Sequence, residues 1–85
     1  MREKYELFVE RSAREQIKHL RGKRRKAVFD FLDSLVADPF IDDGIRFEDH
    51  KSRLVQKITV VGLVITFHVD HPLKEIKVLT VRLID

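Results

Sequence analysis

The 85-residue chain predicts an α+β domain in which a helical hairpin covers one face of a small antiparallel sheet, in the order β-α-α-β-β-β. Three observations carry that expectation. Apolar residues alternate with period two near the start of the chain and again after Arg53. Between these stretches they recur at three- and four-residue spacing, the period of a helix with one buried stripe. Glycine or proline stands close to most changes of period.

Taken in order, Tyr5, Leu7 and Val9 alternate with Glu6, Phe8 and Glu10, so residues 4–9 read as a first strand. Ser12-Ala13-Arg14-Glu15 has the capping-box pattern, in which the serine oxygen and the glutamate carboxylate each accept from the other residue's main-chain N–H. The helix it predicts carries Ala13, Ile17 and Leu20 on one face and ends at Gly22 in the left-handed conformation. A second helix runs from Lys23 or Arg24 to Val36, with Ala27, Val28, Phe31, Leu32 and Leu35 as its stripe. Asp38-Pro39 stops it, because the residue before proline is pushed out of helical geometry. Residues 39–50 read as an irregular loop with room for a short strand at Ile45 to Phe47. Three strands follow, Arg53 to Val60, Leu63 to Asp70 and Glu75 to Ile84, joined by Val61-Gly62 and by His71-Pro72-Leu73-Lys74. The first strand is expected to lie alongside the last.

Composition narrows the classes. At 44% hydrophobic and 36% charged residues the chain is that of a folded globular domain. At this length it buries roughly 60 to 65% of its unfolded surface, so it is a single domain with a thin core. The absence of cysteine removes disulfides and thiolate metal sites and suits a reducing compartment. No spacing among the four histidines suggests a metal site, and no cofactor is expected. MREKYELFV lacks a signal-peptide core, and the apolar run after Lys57 stops at His68, short of the roughly 18–20 residues that span a bilayer. A cytoplasmic protein without membrane attachment is therefore expected. The net charge is only +3, but it is unevenly spread. Lys18, Arg21, Lys23, Arg24, Arg25 and Lys26 crowd one stretch, and Asp42, Asp43, Glu48 and Asp49 another.

Within RLVQKITVVGLVITFHV, alternation separates two faces. Leu54, Ile58, Val60, Leu63, Ile65, Phe67 and Val69 form the set expected beneath the helices. Arg53, Val55, Lys57, Thr59, Val64, Thr66, His68 and Asp70 form the other. A two-residue turn at Val61-Gly62 sets Lys57 opposite Thr66 and Val55 opposite His68, making Lys57 and His68 diagonal neighbours. If Leu79, Val81 and Leu83 claim the core, Thr80 and Arg82 join Lys57 on the open face. Gln56 is polar on the packed side, which calls for an edge position or a bulge.

The opening Y-x-L-x-V strand, the helix start SAREQIKHL, the second helix ending at Asp38-Pro39 and the strand-turn-Gly-strand hairpin together resemble the RelE/ParE superfamily of toxins from type II toxin-antitoxin systems. The resemblance spans nearly the whole chain and lies in pattern and length more than in signature residues. It implies a toxin neutralised by a cognate antitoxin. RelE-like members cleave mRNA in the ribosomal A site without metal, and ParE-like members inhibit DNA gyrase. Lys57 falls where RelE-like toxins carry a catalytic lysine. The implied active group is Lys57 as base for the 2′-hydroxyl, Arg53 and Arg82 as cations about the phosphate, and His68 as acid for the leaving 5′-oxygen. The cluster Lys18, Arg21, Lys23, Arg24, Arg25 and Lys26 would dock ribosomal RNA phosphates. Implied partners are the antitoxin, ribosome and mRNA, with a homodimer and a heterotetramer with antitoxin both compatible.

The chain also departs from the RelE pattern. Leu63-Val64 stands where an aromatic-arginine pair opens the third strand, and the chain closes VRLID where the pattern has Gly-His/Lys-Arg and a tyrosine tail. Those departures keep two alternatives in play: a ParE-like gyrase inhibitor, and a catalytically degenerate member that only binds its antitoxin. A basic nucleic-acid-binding domain unrelated to toxicity is a third. The greasy hairpin tip at Val60, Val61 and Leu63 suggests a surface covered by a partner or by the acidic loop.

Overall fold

Period-two alternation yields five strands and the three-to-four spacing yields two helices, in a computed structural model that describes residues 4–40 and 44–84. Asp42 and Asp43 of the acidic stretch lie outside the described residues. The elements are β1 (Glu6–Val9), α1 (Arg11–Lys18), α2 (Gly22–Ala37), β2 (Ile45–Glu48), β3 (Leu54–Val60), β4 (Leu63–Asp70) and β5 (Glu75–Leu83). The sheet order is β1-β5-β4-β3-β2. Strands β2 to β5 form an antiparallel meander, and β1 joins the last strand in parallel, with Leu7 beside Ile76 and Val9 beside Val78. The sheet is thus mixed and five-stranded, and the short strand allowed for at 45–47 supplies its far edge.

One face carries the core. Ala13 and Ile17 from α1 and Val28, Leu32 and Leu35 from α2 meet Leu63, Ile65, Phe67, Ile76, Val78 and Val81 from the two central strands. Phe31 and Phe67 meet edge to face at 5.9 Å. Burying each large apolar side chain contributes about 1.5–3 kcal/mol, which holds the helical hairpin to this face. Among the described residues no helix is long and apolar enough to cross a membrane.

The helix termini differ from expectation. α1 begins at Arg11 after an extended Glu10, and no side chain caps it. The Ser12 hydroxyl instead donates to the Leu79 carbonyl at 2.9 Å, so a tertiary acceptor outcompetes the capping box. α1 stops at Lys18, and Gly22, with φ +59°, opens α2 rather than closing α1.

The Val61-Gly62 turn forms as read, with positive φ at both residues (43° and 79°), the geometry of a type I′ hairpin. Register in β3 and β4 follows, with Val60 beside Leu63 and Lys57 beside Thr66. In β5 the register slips by one residue between the pairs Phe67–Val78 and Thr66–Thr80, leaving Leu79 as a bulge. Gln56 is buried at 8% exposure on the helix side of β3, paired with Phe67, while the bulge itself lies across β4 in β5. It lines a small recess with Pro39, Phe40, Arg46 and Leu54.

Candidate functional site

The bulge decides which side chains reach the helix-free face. Ile76 and Val78 point into the core, and unbroken alternation would send Thr80 and Arg82 the same way. The extra residue at Leu79 reverses the phase, so that Val81 is buried and Thr80 and Arg82 stand opposite Thr66 and Val64. Leu79 therefore lines the open side, and Leu83 is largely exposed. Thr80 and Arg82 sit where expected, through a device other than the one expected.

Lys57, Val64, Thr66, Thr80, Arg82 and Leu83 together line an open cleft of about 410 Å³ on this face. Two cations thus flank two hydroxyls on a surface otherwise lined by Val64 and Leu83. Gly44 is part of what positions Lys57: at φ +87° it lies so close that a Cβ there would overlap the Lys57 carbonyl oxygen. Beside it, β2 pairs Ile45 with Lys57 and Phe47 with Val55. The Lys57 ammonium lies 5.0 Å from the centroid of the Phe47 ring, a cation–π contact.

A second cavity of about 300 Å³ shares Thr66 and Thr80 with the first and is bounded by Phe47, Val55, Leu79 and the 49–53 loop. Arg53 belongs to this loop and does not line the Lys57 cleft. Its Nε donates to Asp49 Oδ2 at 2.9 Å, and its Nη2 makes an ion pair with the same oxygen at 2.9 Å. Asp49 Oδ1 also accepts from the main-chain N–H groups of Lys51 (3.0 Å) and Arg53 (2.9 Å). Burial pushes the Asp49 carboxyl up, but main-chain and side-chain hydrogen bonds from Arg53, the Lys51 N–H and the Arg53 charge outweigh it. The result is a pKa of about 2 in place of 3.8.

His68 shares the open face and is half-buried. Its Nδ1 lies 2.7 Å from the Leu54 carbonyl, which can only accept, so Nδ1 carries a proton and donates it there. It lines neither cavity. His71 is a turn residue whose Nδ1 pairs with the Tyr5 hydroxyl at 2.8 Å and whose ring stacks on Phe40 at 4.6 Å. Among the described residues no group of three or more His, Cys, Asp or Glu side chains could hold a metal ion.

The basic cluster lies at the junction of the two helices, and its members are differently engaged. Lys26 pairs with Asp30 at 2.7 Å, and the hydrogen bond it donates to that carboxylate, then the carboxylate's charge, raises the lysine pKa. Arg25 donates to the Ile17 carbonyl at 3.2 Å and lies 5.1 Å from the Phe29 centroid. Lys18, Arg21, Lys23 and Arg24 are exposed. Arg24 reaches the β3–β4 turn, its guanidinium 3.9 Å from where a Cβ on Gly62 would lie. Sequence reasoning missed Phe47 and Asp49; the alternation in Ile45-Arg46-Phe47-Glu48 was the available signal for the first.

A five-stranded sheet backed by a helical hairpin and bare on the face bearing Lys57 and Arg82 is the fold of the RelE toxins. The archaeal RelE in the RelE–RelB complex from Pyrococcus horikoshii superposes with a TM-score of 0.80 at 17% identity, covering 95% of this chain and 96% of that one. The isolated E. coli RelE toxin gives 0.79 at 18% identity, covering 95% and 85%. The toxin-antitoxin complex RelBE2 from Mycobacterium tuberculosis gives 0.70 at 16% identity, covering 94% and 98%. No family sequence model matches the chain, and no curated protein matches it. The kinship is one of fold.

Proposed function

We propose that this protein is a RelE-like toxin that is held inactive by a cognate antitoxin and cleaves mRNA on the ribosome. The observation that carries this reading is the pairing of Lys57 with Arg82 around Thr66 and Thr80 in an open cleft on the helix-free face. Such a cleft suits a phosphodiester. The Lys57 amine removes the proton from a ribose 2′-hydroxyl, and the oxygen attacks the adjacent phosphorus. Arg82 stabilises the charge that builds on the phosphoryl oxygens, and the bond to the 5′-oxygen breaks, leaving a cyclic phosphate. His68 is one diagonal step from Lys57 and supplies the proton to the 5′-oxygen through Nε2. Arg53 acts on the neighbouring wall, through the loop it closes with Asp49. Lys18, Arg21, Lys23 and Arg24 add a salt-sensitive phosphate contact surface that continues past the β3–β4 turn.

Removing a positioned base costs roughly 10²–10⁴-fold in rate, so Lys57→Ala should abolish growth arrest while melting as the parent does. The assay is mRNA cleavage inside codons on translating ribosomes. A folded Lys57→Ala protein of undiminished toxicity overturns the assignment. The occupation of the third-strand arginine position by Val64, inside the cleft, favours a second reading in which only antitoxin binding remains. Unchanged growth on expressing the parent protein selects that reading, and gyrase-dependent DNA damage with intact mRNA selects a ParE-like one.

A further inference from the structure

The polarity of β2 is inverted relative to the core. Ile45, 69% exposed, and Phe47 face the side that has no helices, while Arg46 and Glu48 take the helix side. A strand serving only to finish the sheet would gain by the opposite alternation. Phe47 is instead held between the Lys57 ammonium and a cavity that shares two threonines with the Lys57–Arg82 cleft.

We infer that this second cavity receives the nucleobase adjoining the phosphate bound between Lys57 and Arg82, with the Phe47 ring as its stacking platform. The inference rests on the ribonuclease reading and deepens it. Single-stranded RNA is held by cations along its backbone and by aromatic faces on which its bases stack, and here the two lie on adjacent strands. Charge sets the direction. The Lys57–Arg82 cleft carries cations alone, whereas the Phe47 cavity carries both signs, Glu10 and Asp49 with Lys51 and Arg53, beside an apolar lining of Val55 and Leu79. Asp49 stays ionised and keeps the 49–53 loop closed as the cavity's outer wall.

The test compares Phe47→Leu, Phe47→Tyr and Lys57→Ala with the parent protein, each checked by thermal melting. The probe for binding is an RNA trinucleotide with a 2′-deoxy central residue, followed by NMR. Upfield ring-current shifts of its base protons are expected with the parent and Phe47→Tyr. Binding to Phe47→Leu should be roughly tenfold weaker or worse, with ribosomal cleavage slowed to match. Absence of any upfield shift with the parent overturns the inference, as does Phe47→Leu that binds and cleaves like the parent while Lys57→Ala does not cleave. Should Lys57→Ala cleave at the parental rate, the ribonuclease reading itself fails.

Discussion

Ser12→Ala separates two accounts of one hydroxyl. If Ser12 capped α1, its loss would expose main-chain N–H groups of the first turn and loosen the helix start. In the structure the hydroxyl donates to the Leu79 carbonyl, the acceptor at the bulge that turns Thr80 and Arg82 outward. The bond is exposed, so its loss should cost about 0.5–1 kcal/mol, since water replaces the donor. For a domain of this size that is a fall in Tm of roughly 2–8 °C. The bulge itself should survive. Sliding β5 by one residue would lift Val81, now 1% exposed, out of the core at a cost of about 1.5 kcal/mol or more. It would also drive Arg82 inward, and an unpaired buried cation costs several kcal/mol more. The cross-strand NOE between Thr66 and Thr80 should therefore persist in a less stable protein, with faster amide exchange around Leu79. Faster exchange confined to the Arg14 and Glu15 amides, with the bulge unchanged, would refute the reasoning and restore the cap.

Two further perturbations test the scaffold around the cleft. Val61 is β-branched at φ 43°, a left-handed conformation costing about 1–2 kcal/mol, and is 54% exposed; Val61→Asn should raise stability by about 1 kcal/mol in a denaturant melt, and a fall would refute the turn assignment. The Asp49 pKa is depressed on folding, so its contribution to stability is present above the unfolded value of 3.8 and is lost as pH falls towards about 2. Carbon-detected titration of its carboxyl should give a midpoint near 2, and a midpoint at or above 3.8 would show that the 49–53 loop is open.

The parts of the fold most legible in the sequence were those governed by long, uninterrupted patterning. The stripe Val28, Leu32 and Leu35 and the alternation Leu63, Ile65 and Phe67 bury the side chains that their periods select. Register through Lys57 and Thr66 followed from a two-residue turn with a glycine in its second position. What alternation alone obscured was competition between near-equal local choices. Ser12 could bond its own helix or a distant carbonyl, and nothing local says that Leu79 will be within reach. The adjacent apolar residues Val78 and Leu79, followed by Val81, did record a phase change, since no regular strand buries 76, 78, 79 and 81 on one face. In the site, Lys57 was legible through register, whereas Arg82 reaches the open face by way of the bulge and the capture of Arg53 by Asp49 depends on how a loop closes. Loop closure has no periodic signature.

A net charge of +3 understates the field across the open face, because acidic residues gather at one end of it and Lys57 and Arg82 lie towards the other, with Lys77 between. Glu6, Glu75 and Asp70 stand abreast on β1, β5 and β4 at the end bordering the His71 turn. Three aligned carboxylates repel one another in a sheet, and they equally repel a polyanion. Towards the other end lie Lys57 and Arg82, and Arg24 extends the positive surface round the Val61-Gly62 turn. On the proposed ribonuclease reading, an incoming phosphate chain would be steered to the turn end and away from the His71 end before any contact forms. The same segregation explains how so small a domain can keep a lysine and an arginine in one cleft. Both face water, so neither is desolvated, and their mutual repulsion is relieved once an anion sits between them.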